Sequence, residues 1–457
     1  MLKILTKDFA SEHLDDFLCQ YHTDSCFVLF DKSFNPESFT ALEKLNGNKT
    51  LFFTNLSFDE WIGNMLKEQF ESSWIDEDLI DDAVDYGIKN FKILLEVCGD
   101  ENKIFNQEVV DVLRRISVFT LTGELGENFS TAKKFNDFAH KIMPLVINKI
   151  ISMDFSIEEI LKISIISGLS GLDLKGATAA ASDHENDGIP MGDLMNYDLK
   201  EASEIYFDRL INEYNSRNFP IFDFNQLLDS IKSKNDFNLV WMTDDIIESY
   251  FDLLVIEKLL TDYDINITLI PKNGCFGNDA SFEDINRSIS PVLNNFKQEN
   301  RFKVSKKGPK MAAANLRKLS KEHASAILDS DALILKGCRI SEMFNGGINA
   351  HTYVAYSIVR SVSEKVTGFS ADDKISLLFH LNPGEYAFWG VKGCDDIFNM
   401  GHAFSSLNDH LYKEYSLNEL YERINLINSL LNRYDGDLRP IYQELDYLKE
   451  KIDELDN

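Results

Sequence analysis

Thr243-Asp244-Asp245-Ile246-Ile247-Glu248-Ser249-Tyr250-Phe251-Asp252-Leu253 is the stretch on which the reading of this chain turns. Residues 237–242, just before it, form a largely apolar run with the length of a buried strand. Beyond it, Phe251, Leu254, Val255 and Leu259 recur at helical spacing. Two adjacent carboxylates therefore stand at the carboxyl end of a strand, where open α/β sheets bind ligands. Asp245, Glu248 and Asp252, at i, i+3 and i+7, share one face of the helix. A plainer account exists: Asp245 with Glu248 three residues on fits a capping box, and acidic residues suit a helix N-terminus.

Two further stretches repeat the order strand, polar group, turn or helix. Lys272-Asn273-Gly274-Cys275-Phe276-Gly277-Asn278-Asp279-Ala280-Ser281-Phe282-Glu283-Asp284 follows a strand expected over 265–270 and precedes a helix. Its plain reading is a helix cap, with Asp279 or Ser281 at the N-cap. Asp331-Ala332-Leu333-Ile334-Leu335-Lys336-Gly337 is a buried strand ending in lysine and glycine. That lysine either snorkels from the strand end or holds a phosphate or carboxylate as a point charge. Parallel topology puts all three strand ends on one side of a sheet. Asp244, Asp245 and Asp279 would then crowd together, and such a cluster shares protons or binds a cation. Oxygen donors with no His or Cys nearby suit a hard cation such as Mg²⁺ or Mn²⁺.

These three stretches resemble the metal-dependent damage-control phosphatases. That family carries Asp-Asn-x-Gly-x-Glu-x-x-x-Asp after one strand, Asn/Ser-Asp-x-Thr-x-x-Asp after a second, and Lys-Gly after another. Asn278-Asp279 with Ser281 and Asp284 fits the second motif, and Lys336-Gly337 the third. In the first, Asp244-Asp245 falls on the family's Asp-Asn, with Glu248 and Asp252 one residue early; the other register puts Thr243-Asp244 there. The first placement keeps a carboxylate at the leading position. The loop from Gly168 to Leu174, ending Asp173-Leu174, faintly resembles the family's Gly-Asn-x-x-Asp-Leu segment.

The resemblance implies a Rossmann-like three-layer α/β/α domain, preceded by a helical domain, with the site between them. It implies Mn²⁺, Co²⁺ or Mg²⁺ held by Asp244, Asp245 and Asp279, and hydrolysis of a small phosphomonoester such as a sugar phosphate or phosphorylated cofactor. Asp244, Asp279 and Lys336 would be catalytic, and Lys336, Gly337, Glu248 and Asp173 would contact substrate. The alternatives are a catalytically weak binding or regulatory protein on the same fold, or a carboxyl methyltransferase. Asp245 departs from the family's Asn, and its extra charge should tighten metal binding while opposing a phosphate dianion.

Outward from this centre, strands are expected over 237–242, 265–270, 302–305, 332–335 and 386–391, with 353–362 either strand or helix. Their alternation with helices implies a parallel sheet covered on its faces. Segments 75–98, 107–121, 130–152, 157–167 and 200–232 show helical periodicity. The boundaries drawn are 1–56, a small α/β segment with strands near 26–30 and 50–54 and a helix near 36–45; 57–235, helical; 236–400, the metal-binding domain; and 401–457, a helical hairpin turning at Asp435-Gly436. The hairpin packs on its own domain or joins two copies as a homodimer.

Across all 457 residues the formal charge of −29 argues against nucleic-acid or anionic-membrane partners. Six widely spaced cysteines without a CxxC pair suggest reduced thiols in a cytoplasmic protein.

Overall fold

A computed structural model describes residues 2–17, 62–67, 70, 75–98, 109–125, 130–169, 194–272, 279–306, 308, 319–337, 348–358, 369–384, 415–431 and 439–456. The elements are α1 (Lys7–Glu12), α2 (Leu14–Phe17), α3 (Ile80–Cys98), α4 (Val109–Thr122), α5 (Ser130–Ser152), α6 (Ile157–Ile166), α7 (Leu199–Ser216) and α8 (Phe224–Ser233). There follow β1 (Phe237–Met242), α9 (Ile246–Asp262), β2 (Ile265–Ile270), α10 (Phe282–Ser288), α11 (Pro291–Gln298), β3 (Phe302–Val304), α12 (Lys321–Leu328) and β4 (Ala332–Lys336). The last are β5 (Thr352–Ser357), β6 (Ser376–Leu381), α13 (Leu417–Leu431) and α14 (Arg439–Asp456).

One six-stranded sheet runs in the order β3-β2-β1-β4-β5-β6. The first five strands are parallel and β6 is antiparallel to β5. The sheet is therefore mixed at one edge, not all parallel as the alternation implied. Residues 353–362 resolve as strand at their start, in β5. The strand expected over 386–391, and those near 26–30 and 50–54 with the helix near 36–45, lie outside the described residues. The helical stretch 200–232 is two helices; the chain between them, including Pro220, forms bridges to β6 and its approach instead.

Strand alternation sends successive side chains to two different cores. Leu239, Trp241, Ile267, Leu269 and Ile334 enter a core shared with α5, α6, α7, α8 and α9. Val240, Met242, Leu333, Leu335 and Val354 face the other way, onto Ala324 and Ile327 of α12. Burial on both faces explains why the strands read as continuous apolar runs. The helices α1 to α4 build a separate core around Leu5, Phe91, Leu94 and Phe119. Its centre is Asn90, whose side chain accepts from Leu5 N at 2.7 Å and donates to Lys3 O at 3.1 Å. α13 and α14 lie against each other, tied by an ion pair at 2.9 Å between Arg423 and the buried Glu444.

Candidate functional site

Strand register sets three residues level. Met242 pairs with Ile270 on one side and Leu335 on the other. Two residues further on, Asp244, Lys272 and Gly337 meet beyond the sheet's edge. Lys272 Nζ lies 3.1 Å from Asp244 Oδ1, with both residues buried. Gly337 has φ +114, and a Cβ there would stand 2.1 Å from Asp244 Oδ2. A side chain is excluded on both counts, by backbone conformation and by space.

The backbone of 279–281 fills the gap between the ends of β1 and β2. Ala280 N donates to Asp244 O at 2.9 Å, and Lys272 N donates to Ala280 O at 3.0 Å. Asp245 and Asp279 face each other as an antiparallel bridge. One carboxylate oxygen from each of Asp244, Asp245 and Asp279 lies within 4.8 Å of the others. Asp244 and Asp279 are buried and Asp245 is half-buried. Three carboxylate oxygens sunk this close together repel one another, and they suit a hard divalent cation as donors. The cluster fits the ion the sequence called for.

Capping does not account for these residues. Asp245 occupies the N-cap position of α9, but its side chain makes no capping bond. The N-cap of α10 is Ser281, closed by Asp284 in a capping box, so Asp279 is not the cap.

Lys336 does not snorkel; it is buried at the end of β4. Its Nζ lies 2.8 Å from Asp252 Oδ1 and 3.0 Å from Glu248 Oε2, and donates to Ser164 Oγ at 2.6 Å and Ser164 O at 3.2 Å. Ser164 Oγ donates to Asp252 Oδ1 at 2.6 Å, and Thr243 Oγ1 donates to Asp252 Oδ2 at 2.7 Å. Thus α6 and α9 converge on the ammonium at the end of β4, and Thr243, just beyond β1, holds one of its carboxylate partners. Burial pushes the Glu248 carboxyl up to about 7, against the pull of Lys336 and with help from Asp244 and Asp252. Burial works against the charge on Lys336, but Asp252 and Glu248 outweigh it and hold its pKa above the ordinary value.

Behind Asp279 stands a second buried set. Asn136 Nδ2 donates to Asp279 O and to Asp284 Oδ2, both at 3.3 Å. His140 bonds Asp284 Oδ1 at 2.9 Å through Nε2 and Tyr250 Oη at 2.8 Å through Nδ1. Burial would raise the Asp284 carboxyl, but bonds from His140 and Ser281 bring it below its usual value.

The structure thus gathers Asp244, Asp245 and Asp279 into one cluster, puts Gly337 against Asp244, and sets Glu248 and Lys336 beside it. Asp173 lies outside the described residues. Its loop does begin at the site: a Cβ on Gly168 would stand 2.4 Å from Glu248 Oε1 and 3.3 Å from Asp245 Oδ2. Sequence reasoning gave no role to Lys272, Ser164, Asn136 or His140. Lys272 carried a signal, since it follows β2 as Lys336 closes β4. The other three lie on helices whose pattern announces only a buried face.

Residues 189–373 match the damage-control phosphatase ARMT1-like domain. A damage-control phosphatase of Pyrococcus horikoshii is 29% identical over 115 residues, 25% of this chain and 37% of that protein. The chain therefore aligns with little more than a third of that curated relative. The crystal structure of a DUF89 family protein from the same organism aligns at a TM-score of 0.45 and 18% identity, covering 65% of this chain and 89% of that one. The stretch matched by that domain holds Asp244, Asp245, Glu248, Lys272, Asp279, Lys336 and Gly337, and over it the chain is similar to the damage-control phosphatase ARMT1-like domain.

Proposed function

We propose that this chain is a metal-dependent phosphatase acting on a small phosphomonoester, a sugar phosphate or a phosphorylated cofactor. The observation that carries this reading is the carboxylate triad beyond the ends of β1 and β2, with Asp244 and Asp279 buried and Asp245 half-buried, flanked by buried lysines at the ends of β2 and β4. Its strand order and two-sided burial also favour reading the sheet as a Rossmann-like α/β/α layer. Asp244, Asp245 and Asp279 would hold Mn²⁺, Co²⁺ or Mg²⁺. Such an ion, when bound, polarises phosphoryl oxygens and lowers the pKa of a bound water.

The chain's own groups do the rest. Asp244 or Asp279 orients the attacking water. Lys336, anchored by Asp252 and Ser164, sets positive potential beside Glu248, where positioning and electrostatics dominate phosphoryl transfer. Gly337 leaves the approach to Asp244 open. Asp245 brings a third carboxylate where the family motif has an amide, which favours metal over phosphate. A panel of phosphorylated metabolites, assayed with Mn²⁺, Co²⁺ and Mg²⁺ in wild type and Asp244→Ala, tests this. Metal-dependent release of phosphate that Asp244→Ala abolishes is the expected result. Metal binding with no turnover on any substrate would favour the binding-protein alternative.

A further inference from the structure

The proposed reaction gives no task to His140. This histidine is buried on α5, and its two ring nitrogens bond side chains of two other helices. Nε2 lies 2.9 Å from Asp284 Oδ1 of α10, and Nδ1 lies 2.8 Å from Tyr250 Oη of α9. An ionised carboxylate only accepts, so Nε2 carries the hydrogen, and the neutral ring accepts the tyrosine hydroxyl at Nδ1. Ser288 Oγ, 3.5 Å from Nδ1, already donates to Asp284 O at 2.9 Å. The capping box of α10 does not need the histidine, because Ser281 N and Oγ both use Asp284 Oδ2, at 3.0 and 2.7 Å. Asp284 Oδ1 goes to α5 instead. One turn earlier on α5, Asn136 Nδ2 reaches both Asp284 Oδ2 and Asp279 O.

α9 and α10 are the two helices that start from the carboxylate cluster. Asp245 is the N-cap of α9, and Asp279 stands just before Ser281, the N-cap of α10. We propose that His140 is a positioning residue: it ties α9 to α10 through Tyr250 and Asp284, and so sets the separation between the Asp244–Asp245 side and the Asp279 side of the metal cluster. This rests on the reading of that cluster as a metal site. A cation needs its oxygen ligands at matched separations, and here they come from two different segments of the chain. The segments meet at the strand ends, where Ala280 N donates to Asp244 O. That bond fixes where the backbones touch, but not the angle between the helices that follow. His140 fixes the angle from behind, with two bonds sheltered from water. It offers the metal no ligand of its own. α5 also lies upstream of the stretch matched by the family domain, so the tie comes from a part of the chain outside that match.

Mn²⁺ titration and amide exchange test this. Tyr250→Phe removes one hydroxyl and keeps the ring, and His140→Leu removes both bonds of the tie. Calorimetric titration of Mn²⁺ into the folded variants should show affinity about threefold weaker in Tyr250→Phe and about tenfold weaker in His140→Leu than in wild type. The double variant should be no weaker than His140→Leu alone, because both cuts open the same tie. A residue that only stabilises the fold would lower Tm and leave the Mn²⁺ affinity of the folded protein where it was. Unchanged affinity in Tyr250→Phe or in folded His140→Leu, or losses that add in the double variant, overturns the proposal. If His140→Leu does not fold, Tyr250→Phe decides. The second measurement uses no metal. In metal-free Tyr250→Phe the amide of Ala280, which donates to Asp244 O, should exchange about threefold faster than in wild type, with the Trp241 amide of β1 unchanged. No acceleration at Ala280, or equal acceleration at both amides, overturns the proposal. Wild type that binds no Mn²⁺ while the exchange result holds would sink the metal reading alone and leave His140 as the tie that sets the carboxylates' separation.

Discussion

At the scale of the residue, two positions decide what the site tolerates. Gly337→Ala places a Cβ on the Asp244 carboxylate in a backbone conformation, φ +114, that side chains rarely adopt. Backbone strain of this kind costs about 1–3 kcal/mol. The stability loss measured by denaturant titration should exceed that of Gly384→Ala, where φ is +82 but nothing stands within 4 Å of the added Cβ. Gly337→Ala should also weaken Mn²⁺ binding, and Gly384→Ala should not; equal loss in both would mean that Asp244 yields freely. Asp245→Asn keeps the shape of the side chain and removes one charge. Two charges ~4 Å apart interact by about 4 kcal/mol at an effective dielectric of 20, so even partial relief is measurable. Calorimetry should show weaker Mn²⁺ binding and tighter phosphate binding, and unchanged affinities would return Asp245 to a merely local role. Asp244 and Asp245 were legible in sequence because they stand just beyond a strand, and Asp279 because it stands just before a helix that follows one, positions defined by one-dimensional pattern. Asp252 was placed on the right face of α9, but that it pairs with Lys336 depends on which strand neighbours β1, and spacing along the chain does not encode that.

At the scale of the element, the sheet was legible where apolar runs were short and bounded. β1 and β2 fall where the runs lie, and β4 extends one residue further to include its lysine. The antiparallel edge strand β6 was not read. Its run, Ser376-Leu377-Leu378-Phe379-His380-Leu381, ends on a histidine and a leucine and carries no alternation, because both its faces are buried. That histidine makes the edge sensitive to pH. His380 Nδ1 bonds Gln226 Nε2 at 3.0 Å and His380 Nε2 bonds His351 Nδ1 at 3.1 Å, with the two imidazoles stacked. Burial, and then the neighbouring His351, pull the His380 pKa down to about 4 from the ordinary 6.5. Between those values the unfolded chain binds a proton at this position and the folded chain does not, so stability rises with pH across the window. The contribution is full above pH 6.5 and is lost as pH falls toward 4. Acidification over that range should cost wild type roughly 2 kcal/mol more than His380→Gln, read from denaturant midpoints at each pH. Parallel pH curves for the two proteins would show that His380 is protonated in the folded state.

At the scale of the whole molecule, the family match and the physical unit do not coincide. The match runs over 189–373, yet the ammonium of Lys336 is held by Ser164, and the backbone of Asp279 by Asn136, both upstream of it. The same is true of the core. Phe135, Ile142, Val146, Ile160, Leu161 and Ile163, from α5 and α6, are buried in the cluster that contains Trp241, Phe251 and Ile334. The helical periodicity of these segments was plain in the sequence, but periodicity shows that a face is buried and not what buries it. α6 packs along α9 and reaches β5, so its removal would open one face of the sheet to water. Burying a large apolar side chain contributes about 1.5–3 kcal/mol, and net stabilities run only about 5–15 kcal/mol, so losing these six removes an amount comparable to the whole margin. Lys336 would in addition lose its serine ligand while remaining next to an apolar sheet. A fragment of residues 189–373 should therefore show no cooperative thermal transition and no Mn²⁺-dependent rise in Tm, whereas the whole chain should show both, since an ion that binds only the folded state stabilises it by mass action. A fragment that melts cooperatively and responds to Mn²⁺ would mean that α5 and α6 are dispensable cladding and that the carboxylate triad is held by the sheet alone.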